Sequence, residues 1–439
     1  MFKLHLLSRR LEGKLWVRPT LWSLAAVVAA LIAALSNRWA LPAAIPEISQ
    51  DALQGLLTVI ASSMLTVSTF SLSILVSAFA NTAASATPRA THLVMADDSA
   101  QHAISTFIAA FIFSMVALTA LGLGYYGTTG RFVLLLFTIY VLGYLLLALL
   151  RWIDTLSNLG RMSHTILTVE KATLPPLQRW RGESALGANP DAPETEPQGV
   201  RVHGLRTGFL QYIDVAVLHN AAQALGATVH VRVRPGNFVA PSTVLAVVSG
   251  LVSPKEAKTD ATEPDTDQLK QMADAFTVGR GRTEEQDPGF GLVILSEIAQ
   301  RALSRAVNDP GTAVQVVGVL ARMLIDGTQT DPDEPAPEPK FPSVTMVPLD
   351  ELALVRDVFE PIARDGAQFL EVALALQNVL HLVAANTGEA LRAAALAEAQ
   401  CAMDYAQQGL ALPGEGEALA RGVSDPIACP LAALLPSKA

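Results

Sequence analysis

Four stretches of the chain carry no acidic or basic residue: 19 residues between Arg18 and Arg38, 37 between Asp51 and Arg89, 32 between Asp98 and Arg131, and 19 between Arg131 and Arg151. A helix rises 1.5 Å per residue, so about 20 apolar residues cross about 30 Å of hydrocarbon. Each stretch therefore predicts one membrane-spanning helix, near 19–37, 54–79, 103–126 and 131–152. The first resembles a signal peptide in its basic lead (Lys3, Arg9, Arg10, Lys14, Arg18), but Arg38-Trp39 and the prolines at 42 and 46 make a poor cleavage site. We read it as a retained anchor.

Beyond residue 152 the pattern changes. A helix is expected through about 157–180. Three polar, proline-containing stretches at 187–199, 253–268 and 326–343 then cut the rest into modules. Residues 200–250 mix periods: Val200–Gln211 reads as strand, Asp214–Leu225 as a short helix, Thr228–Arg234 as an alternating strand, and Pro235-Gly236-Asn237 as a turn. Arg232 and Arg234 alternate away from the valines, either as a hydrated sheet face or as a contact for an acidic partner. Residues 269–325 predict a helical hairpin, about 288–304 and 310–325. Asp287-Pro288 and Asp309-Pro310 each place a capping carboxylate ahead of a proline at the first helical position. One long helix kinked at Pro361 is expected over 351–384, and an Ala-rich one over 388–407.

The fold class expected is thus a membrane α-helical N-terminal domain of four spans plus a cytoplasmic α+β region. Its parts are a basic N-terminus (1–18), the transmembrane domain (19–156), a connecting helix and linker (157–199), the α+β module (200–250), the hairpin module (269–325), C-terminal helices (344–407) and a tail (408–439).

Charge sharpens this division. Residues 1–182 have a net charge of +6 and residues 183–439 of −15, within a total of −9 over 439 residues. So acidic a soluble half argues against a nucleic-acid partner. Basic residues also set orientation: five precede the first span and five lie at 151–181, whereas the loops at 38–53 and 127–130 hold only Arg38. Both termini are expected in the cytoplasm, with the chain in the cell inner membrane and the lipid bilayer its first partner.

Candidate chemistry is sparse. The second span carries nine hydroxyl residues from Thr58 to Ser77, of which Ser62, Thr66, Thr69, Ser73 and Ser77 recur at helical spacing. Helix packing, with hydroxyls bonding across helices or onto their own carbonyls, explains such a stripe; so does a wet pore or oligomer axis. No Asp, Glu, Lys or Arg sits mid-span, which argues against a proton pump. GLGYYG at 122–127 has dinucleotide-loop spacing without the strand and soluble helix that motif needs, so it reads as a turn between spans. Two cysteines and scattered histidines suggest neither a metal site nor any cofactor. Around the hairpin, Arg282, Gln286, Asp287, Arg301, Asn308 and Asp309 would form one compact polar cluster if 280–287 folded onto 305–309. It would serve as a structural lock, as a site for a small ion or an unknown protein partner, or as a catalytic acid–base pair.

Three segments resemble a known family: Phe70-Ser71-Leu72 with Ser85 and Pro88-Arg89; the Arg234-Pro235-Gly236-Asn237-Phe238-Val239 turn; and RTEEQDPGFGLVILSEIAQRALSRAVNDPGTA at 282–313. The chain is similar along nearly all its length to a widespread family of uncharacterised bacterial membrane proteins, defined by a domain of unknown function. Members often have proline where this chain has Arg305. The resemblance implies four spans followed by a soluble region, and no established activity, substrate or cofactor. Three functional classes follow: an oligomeric channel-like or sensor protein with a cytoplasmic regulatory domain, a membrane-anchored enzyme using residues 280–309, and a membrane scaffold. Enzyme signatures are missing, which disfavours the second.

Overall fold

A computed structural model describes residues 17–36, 46, 48–95, 98–183, 185–190, 197–250, 266–328 and 338–424. Most of the basic N-terminus, the centres of the three polar stretches and residues 425–439 lie outside the described residues. The chain divides into two compact units, Met1–Thr168 and Val169–Ala439.

The first unit is helical: α1 (Val17–Leu35), α2 (Gln50–Ser85), α3 (Pro88–Met95), α4 (Asp98–Gly122) and α5 (Thr128–Asn158). Among the described residues three helices are long and apolar enough to cross a membrane, Gln50–Ala83, Ala100–Gly122 and Thr128–Asn158; Pro19–Leu35 is a shorter apolar helix. α2 outruns the expected span because Asn81-Thr82-Ala83-Ala84-Ser85 can continue a helix, and it stops before Pro88, where the ring disfavours helical backbone in the preceding residue. Leu53 and Leu57 share an apolar cluster with Phe113, Ala117 and Leu121, while Ile60 and Leu75 share another with Ala100, Ala103 and Phe107. This pairing makes α2 and α4 antiparallel. At one end Trp22 stacks on Tyr144 (centroids 6.0 Å), whose hydroxyl lies 2.7 Å from His102 Nε2. At the other end are Tyr125 and Tyr126. His102 and Leu121 are about 29 Å apart along α4, close to the thickness of a hydrocarbon core. Between α4 and α5 lies the GLGYYG turn, with Gly124 at φ 74°.

α6 (Met162–Gly182) carries the chain into the second unit. There a five-stranded sheet has the order β1-β8-β4-β6-β2, from β1 (Ala188–Asn189), β2 (Val200–His203), β4 (Thr228–Val231), β6 (Val244–Ser249) and β8 (Phe341–Met346). β8 runs parallel to β1 and β4, while β6 is antiparallel to β4 and β2. A three-stranded antiparallel sheet has the order β5-β3-β7, from β3 (Gly208–Ile213), β5 (Phe238–Val239) and β7 (Phe276–Gly279). Helix α7 (Val215–Leu225) begins where Asp214 accepts from Val217 N and ends at Gly226 in the left-handed region. Its Leu218 and Ala222 share one core with Val229, Val231, Leu245 and Val344.

Helices fill the remainder: α8 (Thr266–Asp274), α9 (Pro288–Leu303), α10 (Pro310–Thr328), α11 (Glu351–Asp365), α12 (Leu370–Asn386), α13 (Glu389–Gly409) and α14 (Pro413–Ser424). The α+β class and the hairpin agree with expectation; the modular division does not. β7 lies in the expected hairpin module and pairs with β3, and β8 begins inside an expected loop and pairs with β4. Residues 188–189, also expected as loop, pair with β8. The single helix expected over 351–384 is two. The break is at Gly366, where a Cβ would lie 2.7 Å from Val372 Cγ1 and 2.8 Å from Ile362 O, while Pro361 stays inside α11. Part of the expected tail forms α14.

α9 and α6 meet at Gly291: a Cβ built there would lie 1.7 Å from Thr173 Oγ1 and 2.7 Å from Thr173 Cβ. Thr173 is itself buried, with its hydroxyl on Val169 O. Gly291→Ala should therefore lower stability by about 2 kcal/mol through overpacking. Combining it with Thr173→Ala, which removes Oγ1 and Cγ2, should recover part of the loss in thermal unfolding of the full chain. Equal midpoints for Gly291→Ala and the parent would contradict this contact.

Candidate functional site

The turn at Arg234–Asn237 and the strap at 281–287 lie far apart in sequence and meet at Gly236 and Asp287. Asn237 closes the turn, accepting from Arg234 N through Oδ1 at 2.8 Å and donating N–H to Arg234 O at 3.0 Å. Gly236 has φ 95°, and a Cβ there would lie 2.4 Å from Asp287 Oδ2. Only glycine satisfies both the backbone and the approach. The strap is tied to β3 by side chains. Gln286 accepts from Ile213 N at 2.8 Å and donates to Ile213 O at 3.2 Å, while Gln211 Nε2 donates to Gly281 O at 2.7 Å.

Asp287 is buried, and Arg282 grips both its oxygens, Nε to Oδ2 at 2.7 Å and Nη2 to Oδ1 at 3.0 Å. The guanidinium also sits 5.2 Å from the Phe290 ring centroid. The sequence places Asp287 correctly at the start of α9, but its side chain makes no capping bond there. The stronger donor fork takes it instead. Burial pushes the Asp287 carboxyl up, opposed by the Arg282 hydrogen bonds and charge. Burial also brings the Arg234 guanidinium down to about 10, opposed by the Asp287 charge, so it remains cationic at neutral pH. Arg234 donates to Val347 O, beyond the end of β8; the hydrated sheet face expected for it is replaced by a tie between turn and helical region. Arg232 is exposed. With both Asp287 oxygens engaged, the geometry suits a lock, and proton transfer there would require the pair to open.

Arg301, Asn308 and Asp309 do not join this group. The 16 residues of α9 put about 24 Å between its two ends, so the compact cluster expected around the hairpin does not form. Asn308 has φ 53° and closes the connection, its N–H donating to Ser304 O at 2.8 Å. Asp309 caps α10, accepting from Thr312 N at 3.1 Å and Thr312 Oγ1 at 2.6 Å. The Arg301 carbonyl accepts from Ser304 Oγ at 2.7 Å.

In the first unit, Ser62, Thr66, Thr69, Ser73 and Ser77 are all exposed. The packed face of α2 includes Leu53, Leu57, Ile60, Ala61, Ser68, Ser71, Leu75, Ala78 and Thr82. A step of two residues, as from Ile60 to Ser62, turns about 200° round a helix, so the stripe points away from that face. Packing among the described helices of one chain therefore does not cover it. The hydroxyls of Ser62, Thr66 and Thr69 bond to carbonyls of their own helix, at 2.9, 3.0 and 3.1 Å.

Two features escaped the sequence reading. Gly236 stood only in a turn, and Arg234 read as a surface residue of the sheet and not as a partner of the Asp287 region. Glu398, buried with its Oε1 unpartnered, lies on the apolar face of α13 with Leu391, Ala394, Ala395 and Ala402, and that spacing was the available signal. Among the described residues, no three of His, Cys, Asp or Glu could hold a metal ion.

Comparison with known proteins gives a family and no activity. Uncharacterized proteins of Mycobacterium tuberculosis and Mycobacterium bovis are each 29% identical over 182 residues, covering 41% of this chain and 34% of the relative. The chain thus matches about a third of the length of these curated relatives. No solved structure matches it. The family model described as "Predicted membrane protein (DUF2254)" matches residues 12–381, most of the chain, and the chain belongs to that family.

Proposed function

We propose that the protein spans the inner membrane four times with both termini in the cytoplasm, and that copies assemble around the hydroxyl face of α2 as a channel-like or sensor protein regulated by the α+β region. The observation that carries this reading is the position of Ser62, Thr66, Thr69, Ser73 and Ser77, exposed and opposite the packed face of a helix long enough to cross the bilayer. A single chain gains nothing by turning its most polar face to lipid. A ring of copies gives the face close helix approach or a wet axis. α1, at 19 residues, rises about 28 Å and supplies the fourth span.

Single cysteines along the stripe test it in the full chain. We expect those at 62, 66 and 69 to cross-link between copies or to react with water-soluble thiol reagents, while one at Leu146 of α5, also exposed but on another helix, does neither. A reporter fused after Arg181 should behave as cytoplasmic. Stripe cysteines that are inert to both treatments in native membranes, or an external reporter, would overturn the reading.

A further inference from the structure

One end of the three-stranded sheet carries a feature that the fold does not use. Phe238 is 63% exposed and Leu205 is 53% exposed. Phe238 lies edge-to-face on Phe209 (centroids 5.2 Å), so both rings share one face of the sheet. Phe238, Phe209 and Gly279 stand in register across β5, β3 and β7, which places Arg280 about two strand spacings, roughly 10 Å, from Phe238. The loop 204–207 lies against the same end: Gly204 N donates to Thr243 O, and Gly208 pairs with Val239. Leu205 and Arg206 project from that loop.

Charge distinguishes this end from the rest of the unit. Residues 200–250 contain four arginines and one acidic residue, net +3, within a half of the chain whose net charge is −15. Arg206 and Arg280 are exposed and make no ion pair among the described residues. Packing gains nothing from an exposed ring between unpaired arginines, whereas an anionic interface gains both apolar burial and charge. Such an interface is always near, because only residues 159–168 separate the end of α5 from the second unit.

We propose that Phe238 and Leu205, flanked by Arg206 and Arg280, form a docking surface for the anionic headgroup layer of a phospholipid bilayer. The apolar side chains enter the headgroup boundary while the guanidinium groups bind phosphate oxygens. This contact stands independently of any assembly of copies through α2.

The test uses the full chain in nanodiscs, with Cys401 and Cys429 replaced by serine and an environment-sensitive fluorophore on Thr207→Cys. Lipids carrying a headgroup-level quencher report contact. Quenching is expected in discs containing phosphatidylglycerol, to be weak in pure phosphatidylcholine, and to fall in high salt, which shortens the screening length. Arg206→Gln and Arg280→Gln should each lower occupancy of the docked state about fivefold, and Phe238→Ser should lower it as well. A label on Asp404→Cys, exposed on α13, should be insensitive to lipid charge. Quenching at Thr207 that ignores lipid charge and all three substitutions, or that matches Asp404, would overturn the proposal. So would protection of the label through a second copy irrespective of lipid.

Discussion

Asp287→Ala should cost the second unit about 3 kcal/mol of stability, because it leaves the Arg282 fork and the nearby Arg234 guanidinium without their shared counter-charge. Removing one partner of a buried pair typically costs about 3–5 kcal/mol; the lower end applies here, since Arg282 remains 29% exposed and water can solvate it. Asp287→Asn keeps an acceptor for Arg282 and should lose less. Arg282→Lys keeps the charge but not the two-pronged geometry, and should fall between them. Gly236→Ala offers an independent route to the same contact, because its Cβ would enter the space of Asp287 Oδ2 and its φ is unsuited to alanine. Unfolding of the full chain in mild detergent, followed by pulse proteolysis, measures all four. If Asp287→Ala changes stability by under about 1 kcal/mol, the pair is not the lock between turn and strap that its geometry describes.

The first unit was legible because lipid demands long runs without charge, and such runs are visible in any sequence. Their ends were less legible. Ser, Thr, Asn and Ala at 80–85 neither require nor forbid a helix, and only Pro88 stops α2. In the second unit, local chemistry was read well where it acts locally. Asp309 caps α10 through Thr312, three residues away, and the helices at Pro288 and Pro310 begin where proline permits. Pairings across long separations were not readable. β7 has four residues and finds β3 about 65 positions earlier, and β8 finds β4 more than 110 positions earlier, so nothing near either strand announces its partner. The same limit explains the polar cluster. Six charged or amide residues within 28 positions suggested proximity, yet a straight helix between them fixes the opposite result, and the partner that matters, Gly236, lies about 50 positions away. The hydroxyl stripe is the converse case, since its helical spacing was evident but its outward direction depended on which face the neighbouring helices took.

Glu398 supplies a pH dependence whose sign can be stated. It is 4% exposed on the face of α13 that packs against α11, and its Oε1 has no hydrogen-bond partner. Burial, reinforced by the Glu360 charge and opposed by Arg356, pushes its carboxyl up to about 8. Tyr405 donates to Glu360 Oε1 at 3.2 Å, which helps to hold that second carboxylate in place. An unfolded glutamate releases its proton near pH 4.3, so between about 4.3 and 8 the folded chain keeps a proton that the unfolded chain has lost. Stability from this group is therefore full at low pH and declines as pH rises, by at most about 1.4 kcal/mol per unit, levelling above about 8. Glu398→Gln has no proton to lose. It should match the parent at about pH 4 and below and exceed it by a few kcal/mol at about pH 8.5, a shift of several degrees in unfolding temperature. Parallel pH profiles for the two proteins would show that the carboxyl ionises in place with water reaching it, and that α11 and α13 separate enough at that point to admit the charge.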